Sequence, residues 1–193
     1  MKLADRLRSA LASAPGLPAL AGDLPELRGG ATIAAAVLVA ITERPEPGVL
    51  LTVRHEGLRT HAGQIAFAGG RIDPGEDAAT AALREAREEL GIVPASVDVA
   101  GTIEDYRTVT GYSITPVVAV VPPDQPLTLH EPEVSDCFEP PLSFVLDPVN
   151  HLRRSALLHG RERHYYEIPW QGRRIWGATA AIIVNLSRRL QWS

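Results

Sequence analysis

Thiols are almost absent. Cys137 is the only cysteine in 193 residues, which excludes an intrachain disulfide and a multi-thiolate zinc site and suits a reducing, cytoplasmic setting. Lysine is as scarce: Lys2 stands alone, so basic chemistry falls to arginine, whose planar fork matches phosphate oxygens. An excess of positive charge is missing too. The formal net charge is -4, which disfavours nucleic acid as a partner through bulk electrostatics and leaves room only for a local basic cluster against a small phosphorylated ligand. No apolar run reaches the ~20 residues that cross a bilayer, so no membrane association is expected. Ala12-Ser13-Ala14 resembles a signal-cleavage site, but Asp5, Arg6 and Arg8 interrupt any apolar segment before it, and secretion is not expected. There is no internal repeat and no low-complexity tract beyond an alanine bias near the start.

With 45% hydrophobic residues the chain can bury one sizeable core. Residues 1–30 read as an N-terminal amphipathic helix, with Leu3, Leu7, Ala10 and Leu11 at helical spacing, followed by a proline- and glycine-rich linker over 15–30. Residues 31–190 form the main domain. Residues 31–42 read as a buried strand, 43–48 as a turn and 49–54 as the returning strand. Further strands are expected over 97–103 and 112–121, with Pro116 hinting at an edge or bulge. Two short strands, 164–168 and 173–176, flank a turn at Gln171-Gly172, and a closing helix runs from about Trp176 to Leu190 with Arg188 and Arg189 at its C-terminal end.

Residues 70–92, GRIDPGEDAATAALREAREELGI, hold the densest chemistry. Asp73-Pro74-Gly75 is turn material, Asp77 is placed to cap a helix starting at Ala78, and Gly91 is placed to close it. At about 100° per residue, Ala79, Ala82, Leu83, Ala86 and Leu90 are expected to pack on a sheet, with Glu85, Glu88 and Glu89 gathered on a broadly opposite side. Three carboxylates on one patch repel unless something positive lies between them. Either Arg84 and Arg87 lace them into a solvated charged face, or hard oxygen ligands of this kind hold Mg²⁺ or Mn²⁺.

The spacing decides between these readings by resemblance. Gly70, five residues, Glu76, seven residues, Arg84-Glu85, an apolar residue, one more, Glu88-Glu89, one more, Gly91 and an apolar residue resemble a complete Nudix box, with only Ala86 smaller than usual. The resemblance implies a Nudix hydrolase of α+β class, an α/β/α sandwich whose mixed β-sheet is flanked by helices. It implies a metal site of Glu85, Glu88, Glu89 and the Gly69 carbonyl, supported by Arg84 and Glu76. The proton from the attacking water would go to Glu88 or to a later loop acid, Glu133 or Glu131.

The preceding segment sharpens the resemblance. Leu50, Leu51, Thr52, Arg54, Arg59, Gly63, Phe67, Gly69 and Gly70 match, at the right spacing, the pattern of the coenzyme A diphosphatase subgroup. Two positions depart: His55 stands where serine or alanine is usual, and Ala68 replaces a proline. The substrate expected from this likeness is coenzyme A or a derivative, cleaved to adenosine 3′,5′-bisphosphate and 4′-phosphopantetheine, with Arg54, Arg59 and Arg71 as phosphate contacts. The departures keep open a diphosphatase acting on ADP-ribose or another nucleoside diphosphate derivative, and a ligand-sensing module is a third class. Arg59, His61 and Gln64 lie on the expected substrate loop. Tyr165, Tyr166 and Trp170 could stack on adenine or simply pack. Cys137 reads as a small, at least half-buried side chain. A homodimer is left open.

Overall fold

The computed structural model describes residues 1–13, 18–23, 31–158 and 161–191. The Ala12-Ser13-Ala14 site and most of the 15–30 linker therefore lie partly outside the described residues. Helix α1 (Leu3–Ala12) forms as its spacing predicts. The densest apolar run becomes β1 (Ile33–Thr42), paired in parallel along its whole length with β7 (Tyr112–Val121), from Ile33 opposite Tyr112 to Thr42 opposite Val121. Both strands are apolar on both faces, as a strand covered on two sides must be.

β4 (Ala68–Arg71) flanks β1 as an edge strand, and β5 (Asp98–Thr102) and β6 (Tyr106–Arg107) share the far side of β7, giving a mixed five-stranded sheet. On one face, Ala36, Leu38 and Ala40 of β1 and Val117, Ala119 and Val121 of β7 pack against helix α2 (Ala78–Leu90). On the other, Val39, Ile41, Val118 and Val120 join a second cluster with α1 and with α4 (Gly177–Arg189). Helices thus flank a mixed sheet in an α+β fold.

Pro116 lies in an interior strand, not at an edge. Its carbonyl accepts from Ile103 N–H at 3.2 Å, so its main-chain groups face the side where β5 has ended and β6 has not begun. The missing N–H therefore costs no ladder bond. The bulge is in the partner strand, where the register shifts between Val99 and Gly101.

Residues 49–54 do return, but only briefly. Ile41 bridges Val49 and Leu50 N–H donates to Ala40 O at 2.9 Å. The chain then leaves as β2 (Leu51–Arg54) to pair with β3 (Ile65–Ala66) and β8 (Val134–Phe138) in a second sheet. The Pro140-rich run gives a short helix, α3 (Leu142–Leu146).

A third sheet orders β9 (Leu152–Leu158), β10 (Arg161–Trp170) and β11 (Arg173–Trp176) with β10 in the centre. Gln171 and Gly172 both take positive φ, 46° and 75°, the geometry that matches the twist of a two-residue hairpin. Trp170 stacks on Phe138 at 5.5 Å and Arg173 lies 4.2 Å over the same ring while pairing with Asp136 at 2.7 Å, which pins this hairpin to β8. Trp170 is spent on packing.

Arg188 and Arg189 tie the N-terminal segment to α4 by donating to Pro18 O and Leu11 O, while Asn185 exchanges two hydrogen bonds with the Leu20 main chain. Among the described residues no helix is long and apolar enough to cross a membrane.

Candidate functional site

Local chemistry fixes α2 where its sequence places it. The Asp77 carboxylate accepts from Thr80 N–H at 2.7 Å, a bond that lowers its pKa, and Gly91 closes the helix in the left-handed conformation at φ 71°. Arg84 organises the surrounding acids. Its guanidinium forks onto Glu76 at 2.9 and 3.0 Å, donates to Glu85 Oε1 at 2.7 Å and to Arg71 O at 3.0 Å, and lies 3.5 Å from Glu88. The Arg84 hydrogen bond holds the Glu76 carboxyl below its ordinary range.

The three glutamates do not share a solvated side. Glu88 is exposed, Glu85 is largely covered, and Glu89 is only 4% exposed, buried with Ala81, Ala82, Ala86 and Leu90. At about 100° per residue, Glu85 and Glu89 fall on the arc between Ala81 and Leu90 and not opposite it. Burial, reinforced by the charges of Glu85 and Glu133 and opposed by that of Arg54, pushes the Glu89 carboxyl up to about 8.

Glycine lets these carboxylates reach across the sheet. α2 packs on one face of β4, and Gly69 and Gly70 leave the middle of that edge strand without side chains. A Cβ at Gly70 would collide with the Glu85 carboxylate, and one at Gly69 would lie 2.7 Å from Val37 Cα. Beyond this gap opens a cleft of 960 Å³. It is cut between the sheet and the start of α4, with Val37, Ile65, Phe67, Ile114 and Ile182 as apolar lining.

Of the residues singled out by sequence, Arg54, Gly69, Arg71, Glu85, Glu89 and Glu133 line this cleft. Glu88, Glu76 and Arg84 stand behind or beside it, and Arg59 and Glu131 are exposed outside its lining. Arg54 Nε is buried with no hydrogen-bond partner. Arg71 rests against Tyr112, donating to its hydroxyl at 3.2 Å.

His55 also lies outside the cleft lining, its Nδ1 accepting from Gly57 N–H at 2.9 Å, and Ala68 is buried on the α2 side of the sheet. Cys137 is half-buried, and burial raises its thiol to about 11, so it stays protonated and unreactive.

Sequence reasoning missed most of the opposite wall: His164, Arg174, Trp176 and Thr179, with the 108–110 loop. Tyr165, named for stacking, does line it, but Arg174 already covers the Tyr165 and Trp176 rings at 5.6 and 4.8 Å. The hairpin signal at Gln171-Gly172 and the helix start at Trp176 pointed toward this wall without giving it a role.

The donor set suits a small hard divalent cation: carboxylates and a glycine carbonyl, all oxygen, around a buried Glu89 whose ionised form such a cation would stabilise. Among the described residues no three acidic, histidine or cysteine side chains already converge on one metal position, since Glu85 and Glu88 are turned to Arg84.

A glycine-gapped edge strand, a capped helix delivering acids through it and an arginine-lined cleft make a site suited to a phosphorylated small molecule, and comparison with known proteins gives it a family. A model of the NUDIX domain matches residues 32–159, and the chain belongs to the Nudix family as a Nudix hydrolase. Members of this family act on nucleoside diphosphate derivatives and generally use divalent cations such as Mg²⁺ or Mn²⁺.

The chain is 45% identical over 161 residues to the uncharacterized Nudix hydrolase NudL of Escherichia coli K12, a match covering 81% of this chain and 82% of that protein. NudL of Escherichia fergusonii matches equally. Two crystal structures share the fold. RenU, a Nudix hydrolase from M. smegmatis, has a TM-score of 0.51 at 23% identity, over 60% of this chain and 74% of that one. A MutT/nudix family protein from Enterococcus faecalis has a TM-score of 0.51 at 15% identity, over 97% of this chain and 68% of that one.

Proposed function

We propose that this Nudix hydrolase cleaves the diphosphate bond of coenzyme A or its derivatives, releasing adenosine 3′,5′-bisphosphate and 4′-phosphopantetheine or its acylated form. The observation that carries the reading is Arg54. This arginine of the subgroup pattern lines the cleft beside Glu89, and its buried Nε has no partner, which makes it a ready anion contact next to the acid cluster. His55 and Ala68, the two departures from the pattern, stand away from the cleft lining, so neither argues for a changed substrate.

Glu85, Glu88, Glu89 and the Gly69 carbonyl would hold Mg²⁺ or Mn²⁺, with Glu85 and Glu88 turning from Arg84 to do so. Held there, such an ion would supply neutralisation of diphosphate charge and a lowered pKa for a water. Arg54 and Arg71 hold phosphate oxygens and orient phosphorus for in-line attack. Glu133 takes the proton from the attacking water; it lines the cleft with Glu85 and Glu89, whereas Glu88 does not. Arg84 and Glu76 position the acids. Arg59, outside the lining, is left to a peripheral phosphate contact.

The test is product chromatography after incubating the protein with coenzyme A, acyl-coenzyme A, ADP-ribose and a nucleotide panel, with Mg²⁺ or Mn²⁺ and with chelator. Metal-dependent release of adenosine 3′,5′-bisphosphate, faster than cleavage of the rest and lost in Glu89→Gln, is expected. Cleavage of ADP-ribose or nucleotides with coenzyme A untouched would overturn the substrate, and no metal-dependent turnover at all would favour a ligand-sensing role.

A further inference from the structure

The loop joining β2 to β3 carries a histidine in a costly conformation. His61 has φ 59°, and the other non-glycine residues at positive φ among the described residues, Gln171 and Gln191, sit at a hairpin turn and just past a helix end, where such geometry is routine. A glycine would take the His61 conformation without strain, so a histidine there is expected to be kept for its ring.

The loop is held at both ends. Gly63 N–H donates to Arg54 O at 3.0 Å, Arg54 N–H to Gln64 O at 2.9 Å and Gln64 N–H to His61 O at 3.2 Å. These bonds tie the His61 backbone, through Gln64, to the strand end that carries Arg54.

The ring is oriented as well. His61 Nδ1 lies 2.9 Å from Gln64 Oε1, an oxygen that only accepts, so Nδ1 carries a proton and Nε2 is the nitrogen left for a ligand. Both side chains line the cleft that holds Arg54, Glu85, Glu89 and Glu133.

We propose that His61 is a substrate-contacting residue whose Nε2 is presented to the diphosphate group of the bound substrate, and that Gln64 is its positioning residue. The inference rests on the diphosphatase reading but not on coenzyme A being the substrate.

The experiment compares His61→Asn, His61→Gly, Gln64→Leu and Gln64→Glu with the unmodified chain. Kinetics use whichever diphosphate the chain cleaves best, and binding of methylenediphosphonate with Mg²⁺ is followed by calorimetry, which needs no turnover. Asparagine and glycine both tolerate the left-handed backbone. The expected result is therefore a melting temperature equal to or above that of the unmodified chain, with a fall of about ten- to a hundredfold in kcat/KM and a parallel weakening of methylenediphosphonate binding. Gln64→Leu should lose part of the same activity, and Gln64→Glu, which keeps an acceptor for Nδ1–H, should recover it.

Kinetics and binding within about twofold of the unmodified chain in both His61 variants would overturn the proposal, as would losses that simply follow a lowered melting temperature. If another diphosphate is cleaved and coenzyme A is not, the substrate assignment fails while His61 is still tested on the diphosphate that is cleaved. If nothing is cleaved, the calorimetry alone decides.

Discussion

Two adjacent glycines do different work in β4, and the difference can be measured. A Cβ at Gly70 would meet the far end of the Glu85 side chain, which can swing away. Gly70→Ala should therefore fold nearly as well as the unmodified chain and lose up to about a hundredfold in kcat/KM, because displacing a catalytic group by an ångström is that costly. At Gly69 the obstacle is the β1 main chain, with Val37 Cα 2.7 Å away, and a backbone in mid-sheet cannot yield. Gly69→Ala should lower stability by about 1–3 kcal/mol in urea unfolding. If Gly70→Ala keeps full activity, the glycine gap is not what admits Glu85 to the cleft. Much of this was legible as residue spacing, since Gly69, Gly70, Glu85 and Glu89 were all named from sequence. The depth of Glu89 was not: a glutamate among alanines looks solvated until the glycine pair of β4 is found lying against it.

Elements were legible in proportion to how locally they are determined. α2 begins and ends where Asp77 and Gly91 place it, because a cap and a left-handed glycine act within one turn. β7 matched its predicted bounds because both its faces are buried. β9 gave no pattern, for Arg153 to Leu157 are exposed and nothing in their alternation records a core. β2 was misread as a simple hairpin partner of β1, since its pairing with β8 depends on residues some eighty positions away.

His151 offers a test at this scale. It lies between α3 and β9 and its Nε2 donates to Val145 O at 2.8 Å. Burial lowers its pKa below 6.5, Arg188 adds to the shift, and the Val145 hydrogen bond and Asp147 oppose it. Below pH 6.5 the unfolded chain takes up this proton before the folded one does. Stability from this site is thus level above that pH and falls on acidification. Thermal unfolding of His151→Gln, which keeps a donor for Val145, should lose less between pH 7 and about pH 5.5 than the unmodified chain. An identical acid response in the two proteins would mean that the ring titrates as freely folded as unfolded.

For the molecule as a whole, the open question is what residues 1–30 contribute. Their sequence reads as an amphipathic helix that packs on the domain at 31–190 or leads into it, followed by a linker, because amphipathic spacing cannot say what a helix packs on. In the structure Ala4, Leu7 and Leu11 are buried in the same cluster as Ile103, Tyr106 and the α4 residues Ile182 and Leu186. Arg8 pairs with Asp98 of β5, and Arg189 reaches Leu11 O and Glu104. The Tyr106 hydroxyl donates to Asp23, whose other oxygen accepts from Val109 N–H at the cleft loop. The N-terminal segment thus completes the core beneath α4 and braces one wall of the cleft.

Leu7→Ala should then lower global stability by about 2 kcal/mol, the usual scale for emptying a buried leucine site, in a single cooperative transition. An independent appendage would behave otherwise, with the variant leaving the main transition unchanged and adding only an early, local one. The early transition would place the boundary near residue 31 in energetic terms; the cooperative loss would make α1 part of the hydrolase domain that the cleft depends on.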